Sequence, residues 1–285
     1  MSWKKEIDEL AARRALAEKM GGEEKVARQH SRGKMDARAR LAGIVDAGSF
    51  REIGKIAGRG KYGPDGELED LAASNFIFGR ANINGRPVVA SADDFTVRGG
   101  AADAALHRKF VQCEALAHEY RLPLIRMIDG TGGGGSVKTL EDMGYTYIPH
   151  VPGWHEIIAN LDTVPVVALA LGPTAGLGAA RVVASHYSVM VRGLSQLFAA
   201  GPAVAAAIGD TLDREELGGT DVHTRNGVVD DEVASEADAF AAARRFLSYL
   251  PSSIHDRALR TECSDPTDRR EESLLAAVPR EAKQV

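Results

Sequence analysis

Two apolar runs, each leading into a glycine cluster, limit what this chain can fold into. "LPLIRMI" (122–128) leads into "DGTGGGG", and "VPVVALAL" (164–171), which has no charge at all, leads into "GPTAGLG". Apolar stretches of that length without alternation read as strands covered on both faces, so they belong to the middle of a sheet flanked by helices. The intervening segments supply those helices. "DAALHRKFVQCEALAHEY" sets Ala105, Phe110, Val111, Leu116 and Ala117 at helical spacing, and "GWHEIIANLD" reads as a shorter helix. "SEADAFAAARRFLSYLP" reads as a last amphipathic helix, capped by Ser235 and stopped by Pro251. "RPVVASADDF", "YSVMV" and "SQLF" add strands. Strands alternating with helices give an α/β chain with a largely parallel sheet.

The outer parts read differently. Residues 1–45 are expected to form a helix, a basic break at "RQHSRGK" and a short helix through "MDARARLAGIVD". "IGKIAGRGKYGPDGELED" reads as an exposed turn region. Beyond Pro251 the chain is polar and proline-punctuated, like a linker or surface segment. These shifts divide it into an N-terminal helix (1–30), a main domain (31–251) and a tail (252–285). A formal charge of −5 gives no electrostatic reason to expect nucleic acid. No apolar run approaches the roughly 20 residues of a membrane helix. The N-terminus mixes acids with bases and has no signal-peptide core, so the expected location is cytoplasmic and no membrane partner is foreseen. Cys113 and Cys263 match no metal spacing and fit a reducing compartment. His150 and His155 have no ligand partner at metal spacing either, and no metal is expected.

The glycine clusters are the candidate functional elements. Gly130, Gly132 and Gly135 satisfy G-x-G-x-x-G after a strand, but "LEDMGYTYIPHVPG" follows, where a dinucleotide site needs a packed helix. Lys138-Thr139 miss the phosphate-loop pattern, because Val137 stands where that loop has glycine. A flexible surface loop is the plain alternative. Against it stands the position: ligands of open α/β sheets bind at the carboxyl ends of strands. At the second cluster, Pro173 suits the first turn of a helix, and Gly176 and Gly178 leave that turn bare. Exposed N–H groups from two neighbouring strand ends would suit a carbonyl oxygen acquiring negative charge. The bland reading of the second cluster is close helix–sheet packing.

Several segments go further. "RGKMDARARLAGIVDAGSFREIG", "ADDFTVRGGAAD", the long "RGLSQLFAAGPAVAAAIGDTLDREELGGTDVHTRNGVVDDEVASEADAFAAARRFLSYLPSS" and "DPTDRREESLLAAVPRE" resemble the carboxyltransferase (beta) subunit of biotin-dependent acyl-CoA carboxylases, in its N-terminal half. The run from Glu215 through Gly219 to His223-Thr224 is the most specific part. The strand–glycine–helix segment at 164–191 is similar to the crotonase superfamily. Two positions depart from the family. Thr131 stands where many members have glycine, and Leu177 follows Gly176 where many have a second glycine.

The resemblance implies a crotonase-like ββα superhelix with an N-terminal helical extension. It implies an acyl-CoA substrate, and biotin as carboxybiotin on a carrier protein outside this chain. In that chemistry the cofactor supplies both the carboxyl group and a basic ureido nitrogen, leaving the protein to position groups and stabilise an oxyanion. Carried over, Gly176, Leu177, Gly132 and Gly133 surround the thioester oxygen, while Phe95, Arg98, Gly99, Gly100, Thr174 and Ala175 border coenzyme A. Asp129 caps or orients its loop, and His223 is a structural element of the signature. The implied partners are a biotin carboxylase and biotin carrier subunit, a C-terminal carboxyltransferase half, and further copies in a homo- or hetero-oligomer. Two other readings stay open: a standalone acyl-CoA hydratase or isomerase, and a non-catalytic assembly subunit of a carboxylase complex.

Overall fold

The computed structural model describes residues 2–104, 106–130, 137–145, 152–209, 211–258, 260 and 262–281. Three helices lead in: α1 (Lys4–Glu18), α2 (Glu23–His30) and α3 (Ala37–Ile44). The strands β1 (Arg51–Glu52), β2 (Gly58–Tyr62), β3 (Leu68–Ala73), β4 (Phe76–Ile83) and β5 (Arg86–Asp93) follow. After α4 (His107–Tyr120) come β6 (Leu124–Gly130), α5 (Val137–Met143), α6 (Trp154–Leu161), β7 (Val166–Ala175), α7 (Leu177–Val183), β8 (Tyr187–Val191) and β9 (Gln196–Phe198). The remaining elements are α8 (Pro202–Ala207), α9 (Arg214–Gly218), α10 (Thr220–Arg225), β10 (Asp231–Val233) and α11 (Glu236–Ser248).

The main sheet runs β1-β4-β5-β6-β7-β8-β10, with β9 on β7. β1, β4 and β5 pair antiparallel; every pairing from β5 to β10 is parallel. Both apolar runs are central strands, buried from end to end apart from Pro173 and Ala175. Their residues alternate between two cores. Ile125, Met127, Val167, Leu169 and Leu171 face α3 and α11 on one side. Leu124 and Val166 face α4 and α6 on the other, where Ile128, Ala168 and Ala170 meet α7. Complete burial of such side chains is worth about 1.5–3 kcal/mol each, so this three-layer arrangement fixes which strand ends stand together. Helix α11 starts as expected: the Ser235 hydroxyl accepts from the Asp238 N–H at 3.2 Å.

Three expectations change. "GRGKY" and "LEDLAA" pair as the two-stranded β2–β3 sheet, where an exposed turn region was expected. The "RQH" of the expected basic break belongs to α2, and the chain turns only at 31–34. Pro173 is not in a helix; it lies in β7 opposite Gln196, because β9 prolongs the pairing of β7 past Gly172.

Candidate functional site

The carboxyl ends of β6 and β7 stand side by side, with Gly130 opposite Thr174. Below them four charged side chains from distant parts of the chain meet out of water. Lys34 Nζ lies 2.7 and 2.6 Å from the two carboxylate oxygens of Asp129. Arg40 reaches Asp129 Oδ2 at 2.8 Å, Glu236 at 2.7 Å and the Leu171 carbonyl at 2.7 Å. The Met35 N–H donates to Glu236 at 3.0 Å. Asp129 and Arg40 are fully buried, so two cations balance two anions where an unpaired charge would be costly. Burial pulls the Lys34 ammonium below the usual lysine range, and the Asp129 carboxylate opposes that pull.

This network explains why β7 carries glycine at 172. A Cβ there would lie 2.1 Å from Asp129 Oδ1 and 2.4 Å from Lys34 Nζ, so the backbone itself roofs the ion pair. Close approach also accounts for Gly100. Its Cβ would meet the Gly130 Cα at 2.8 Å, which packs the 98–100 turn onto the end of β6.

Two clefts open from this point. The smaller, about 220 Å³, is walled by Lys25, Arg28, Arg32, Lys34 and Arg98 with Phe95 and Gly99 among its other residues. The larger, about 520 Å³, runs along Pro173 and Ala175 to Phe198 and Pro202, with Arg32, Lys34 and Arg214 in its walls. Arg32, Lys34 and Phe95 line both clefts, and among the described residues no aspartate or glutamate lines either. The Lys34 ammonium lies 4.7 Å from the Phe95 ring centroid, a cation–π contact at this shared wall.

The expected site residues fall into four groups. Phe95, Arg98, Gly99 and Ala175 line the clefts. Arg98 donates to the Thr139 hydroxyl at 2.8 Å, which ties the 98–100 turn to α5. Thr174 and Gly100 instead act in the wall: Thr174 is fully buried with its hydroxyl on the Gly172 carbonyl. At the second glycine cluster, Gly176 has φ 59° and ψ −122°, a conformation that favours glycine, and turns β7 into α7. Its N–H donates to the Phe198 carbonyl at 3.0 Å, so Gly176 offers no donor to a ligand. The first helical N–H groups are those of Leu177 and Gly178, and the opening turn of a helix has no internal acceptors for them. Gly132, Gly133, Thr131 and His150 lie outside the described residues.

His223 lines neither cleft; its Nε2 lies 2.8 Å from the Leu197 carbonyl, which fastens α10 to β9. Asp129 is an ion-pair partner at the strand end, not a helix cap. Lys25, Arg32, Lys34, Arg40, Arg214 and Glu236 were not singled out from sequence. Among the described residues no cluster of three or more His, Cys, Asp or Glu is placed to hold a metal ion. No helix among them is long and apolar enough to cross a membrane.

Comparison with known proteins gives consistent matches. Residues 28–285 match the family model described as carboxyl transferase domain. The chain is 31% identical over 277 residues to methylmalonyl-CoA decarboxylase subunit alpha of Veillonella parvula, covering 96% of this chain and 53% of that one. It is 32% identical over 267 residues to the mitochondrial propionyl-CoA carboxylase beta chain of Homo sapiens, covering 92% and 48%. Among solved structures, transcarboxylase 12S with methylmalonyl-coenzyme A and methylmalonic acid bound matches with a TM-score of 0.76 at 27% identity. That match covers 99% of this chain and 55% of the other. The chain thus spans about half the length of the curated relatives it matches.

Proposed function

The chain belongs to the carboxyl transferase domain family, and on that premise we propose that it holds the acyl thioester of coenzyme A while a carboxyl group is moved from carboxybiotin to the acyl α-carbon. The observation that carries this reading is the pair of cation-walled clefts joined at Arg32, Lys34 and Phe95. A CoA thioester is anionic at one end and small and uncharged at the other. Its phosphates fit the smaller cleft, where Lys25, Arg32 and Arg98 offer charge-assisted hydrogen bonds beside Phe95, Gly99 and the Gly100 turn. Its acyl group then crosses the shared wall into the larger cleft along Pro173 and Ala175, with the buried Thr174 behind them in β7.

The thioester oxygen belongs at the opening of α7, against the N–H groups of Leu177 and Gly178. Gly132 and Gly133, outside the described residues, are assigned to the same site by the family resemblance alone. Donors placed where negative charge develops are worth about 10²–10³-fold in rate each. A side chain at 177 leaves its backbone N–H in place, so Leu177 narrows the site without removing a donor. Biotin, borne by a carrier outside this chain, supplies the carboxyl group and the basic nitrogen. The walls of the larger cleft, with Arg32, Lys34 and Arg214 in them, are compatible with an anionic carboxyl donor. The residues described here do the rest: they bind the CoA phosphates, orient the acyl α-carbon and hold the enolate oxygen.

The reading extends to organisation. Residues 31–251 form the acyl-CoA-binding unit, preceded by the helical segment 1–30 and followed by a connecting segment, 252–285. A C-terminal carboxyltransferase half, from this or another polypeptide, completes the site within an oligomer that also receives a biotin carboxylase and carrier subunit. Two free thiols, Cys113 and Cys263, suit a cytoplasmic setting. A hydratase or isomerase would need carboxylates facing the α- and β-carbons, and among the described residues neither cleft is lined by one.

Calorimetry with propionyl-CoA, followed by a carboxyl-transfer assay with carboxybiotin, tests the proposal. The expected result is thioester binding by the 285-residue chain and transfer only once a C-terminal half is added. Full biotin-dependent turnover by this polypeptide alone would overturn the division of labour. Hydration of an enoyl-CoA would overturn the reaction class.

A further inference from the structure

Building on the acyl-thioester reading, we infer that Arg181 of α7 and Asp93 at the end of β5 are positioning residues. Their ion pair sets where the backbone N–H groups of Leu177 and Gly178 meet the thioester oxygen. Neither side chain lines a cleft, so both act through the backbone they hold.

The need for an anchor comes from α7 itself. Its sequence, LGAARVV, contributes just two buried apolar side chains, Ala179 and Val182. The chain enters it through Gly176 at φ 59°, and a glycine there resists tilting of the helix less than any other residue. A short helix packed through an alanine and a valine has little else to fix its opening turn. Arg181 does so from one turn further on. Residues three and four apart share a helix face, which puts Arg181 on the same side of α7 as Leu177 and Gly178.

Its partner ties α7 to the cleft wall. Arg181 Nη1 lies 3.2 and 3.0 Å from the two Asp93 oxygens, and its guanidinium is 4.9 Å from the Phe110 ring and 5.5 Å from that of Phe76. Both Arg181 and Asp93 are buried. Burial pushes the Asp93 carboxyl above its usual range, while Arg181 and the backbone N–H of Asp129 pull against that rise. One carboxylate thus faces both α7 and the end of β6. Asp129 in turn holds Lys34, and Asp93 stands two residues before Phe95. Lys34 and Phe95 belong to the wall that both clefts share.

The pair is also built unlike one that serves stability alone. Arg126 meets Glu114 through two nitrogens in a fork, the arrangement that uses a guanidinium most fully. Arg181 gives a single nitrogen to both Asp93 oxygens, and its buried Nε has no hydrogen-bond partner among the described residues. Bonding capacity is given up for reach, from α7 across to β5.

The test compares propionyl-CoA with S-propyl-CoA, the thioether that lacks the carbonyl, in equilibrium binding to the 285-residue chain. Isotope-edited infrared spectra of the bound thioester carbonyl read its polarisation directly. The wild-type chain is expected to prefer propionyl-CoA about tenfold, the scale of one or two hydrogen bonds, and to lower the carbonyl frequency. Arg181→Met keeps the stem and loses the pair. It should cut the preference to about twofold and return the frequency towards that of the free thioester, with S-propyl-CoA affinity within about twofold of wild type. Asp93→Asn, nearly isosteric, should act in the same direction and gives the readout if Arg181→Met does not fold. Arg181→Lys keeps the charge and should recover part of the shift. Glu114→Ala destabilises the chain but leaves this pair intact, so its folded fraction should keep the full shift.

A wild-type carbonyl shift in Arg181→Met or Asp93→Asn overturns the inference and leaves the acyl-CoA reading standing. A parallel loss of both ligands overturns it too, since the pair would then support the cleft as a whole. If the wild-type chain binds both ligands equally and shifts no carbonyl, the oxygen does not meet α7, and the inference falls while CoA binding stands. Failure of the wild-type chain to bind either ligand would bring down the acyl-CoA reading and this inference with it.

Discussion

Two buried charge networks in this molecule use the same chemistry to different ends. On one face of the sheet, Arg126 of β6 makes a two-point contact with Glu114 of α4, at 2.8 and 2.7 Å, and donates to the Ala184 carbonyl at 2.6 Å. Asn160 of α6 joins at 2.9 Å from Glu114. Arg126, Glu114 and Asn160 are at most 1% exposed, and none of them lines either cleft of the candidate site. On the other face, the Lys34–Asp129–Arg40–Glu236 network is equally well paired but ends in one group, Lys34, that lines both clefts. The sealed network can act only on how β6, α4 and α6 sit together. The open one couples the position of two strand ends to the charge that a ligand meets.

Breaking the sealed network should give the larger loss of stability. Glu114→Ala leaves Arg126 charged and without its carboxylate, and removing one member of a buried pair costs about 3–5 kcal/mol. A fall of that size in urea-unfolding free energy is expected, with acyl-CoA affinity of the folded fraction unchanged. Replacing both partners by apolar residues, Arg126→Met with Glu114→Leu, should recover most of it. In the open network, Asp129→Asn keeps the shape but removes a charge shared by two cations. It should cost about 3 kcal/mol and also weaken acyl-CoA binding severalfold, because Lys34 and the Gly172 roof lose their anchor. A stability loss of that size with unchanged affinity would erase the distinction between the two networks.

The contrast also shows what was legible beforehand. The central strands were, because seven consecutive buried positions in each leave an unmistakable apolar record, and so was the α11 cap at Ser235. The solved neighbours confirm the crotonase-like α/β core that the family segments implied. Strand β4 was missed since Gly79 and Arg80 interrupt its apolar pattern; the glycine is there because a Cβ would sit 2.2 Å from the Arg51 carbonyl of β1. The β2–β3 pair hid among turn residues for a similar reason: the Gly58 Cβ would lie 2.3 Å from the Ala72 carbonyl. At the site, Phe95, Arg98 and Ala175 were found through the family segments. Lys34 and Arg40 were not, although both sit in one of those segments. "GKMDARAR" reads as a solvated basic stretch until its acids are known, and those lie 89 and 196 residues from Arg40. Sequence separation of that order carries no local signal.

A second pair, the two buried lysines, sharpens the comparison with a smaller effect. Lys34 has a carboxylate at hydrogen-bond distance; the ammonium of Lys109, on α4 and 6% exposed, makes no hydrogen bond or ion pair among the described residues and feels the more distant fields of Glu52, which favours its charge, and of Arg38, which opposes it. Burial lowers the Lys109 pKa from 10.5 to about 8. Below about pH 8 the ammonium is charged in both folded and unfolded chains, so the whole cost of burying it is present. Between about pH 8 and 10.5 the folded chain has shed the proton and the unfolded chain still holds it, so stability from this group rises with pH. Lys109→Met keeps the stem and removes the charge. It should therefore stabilise the protein by about 2–3 kcal/mol at neutral pH, and that advantage should shrink to nothing as the pH approaches 10.5. Lys34→Met should show no such gain at any pH, because it frees Asp129 from a partner while sparing itself the burial cost. Chemical unfolding of both variants across that pH range decides the matter: a pH-independent gain in Lys109→Met would mean that packing, not charge, sets the effect, and a gain in Lys34→Met would show that its ion pair with Asp129 does not offset its burial.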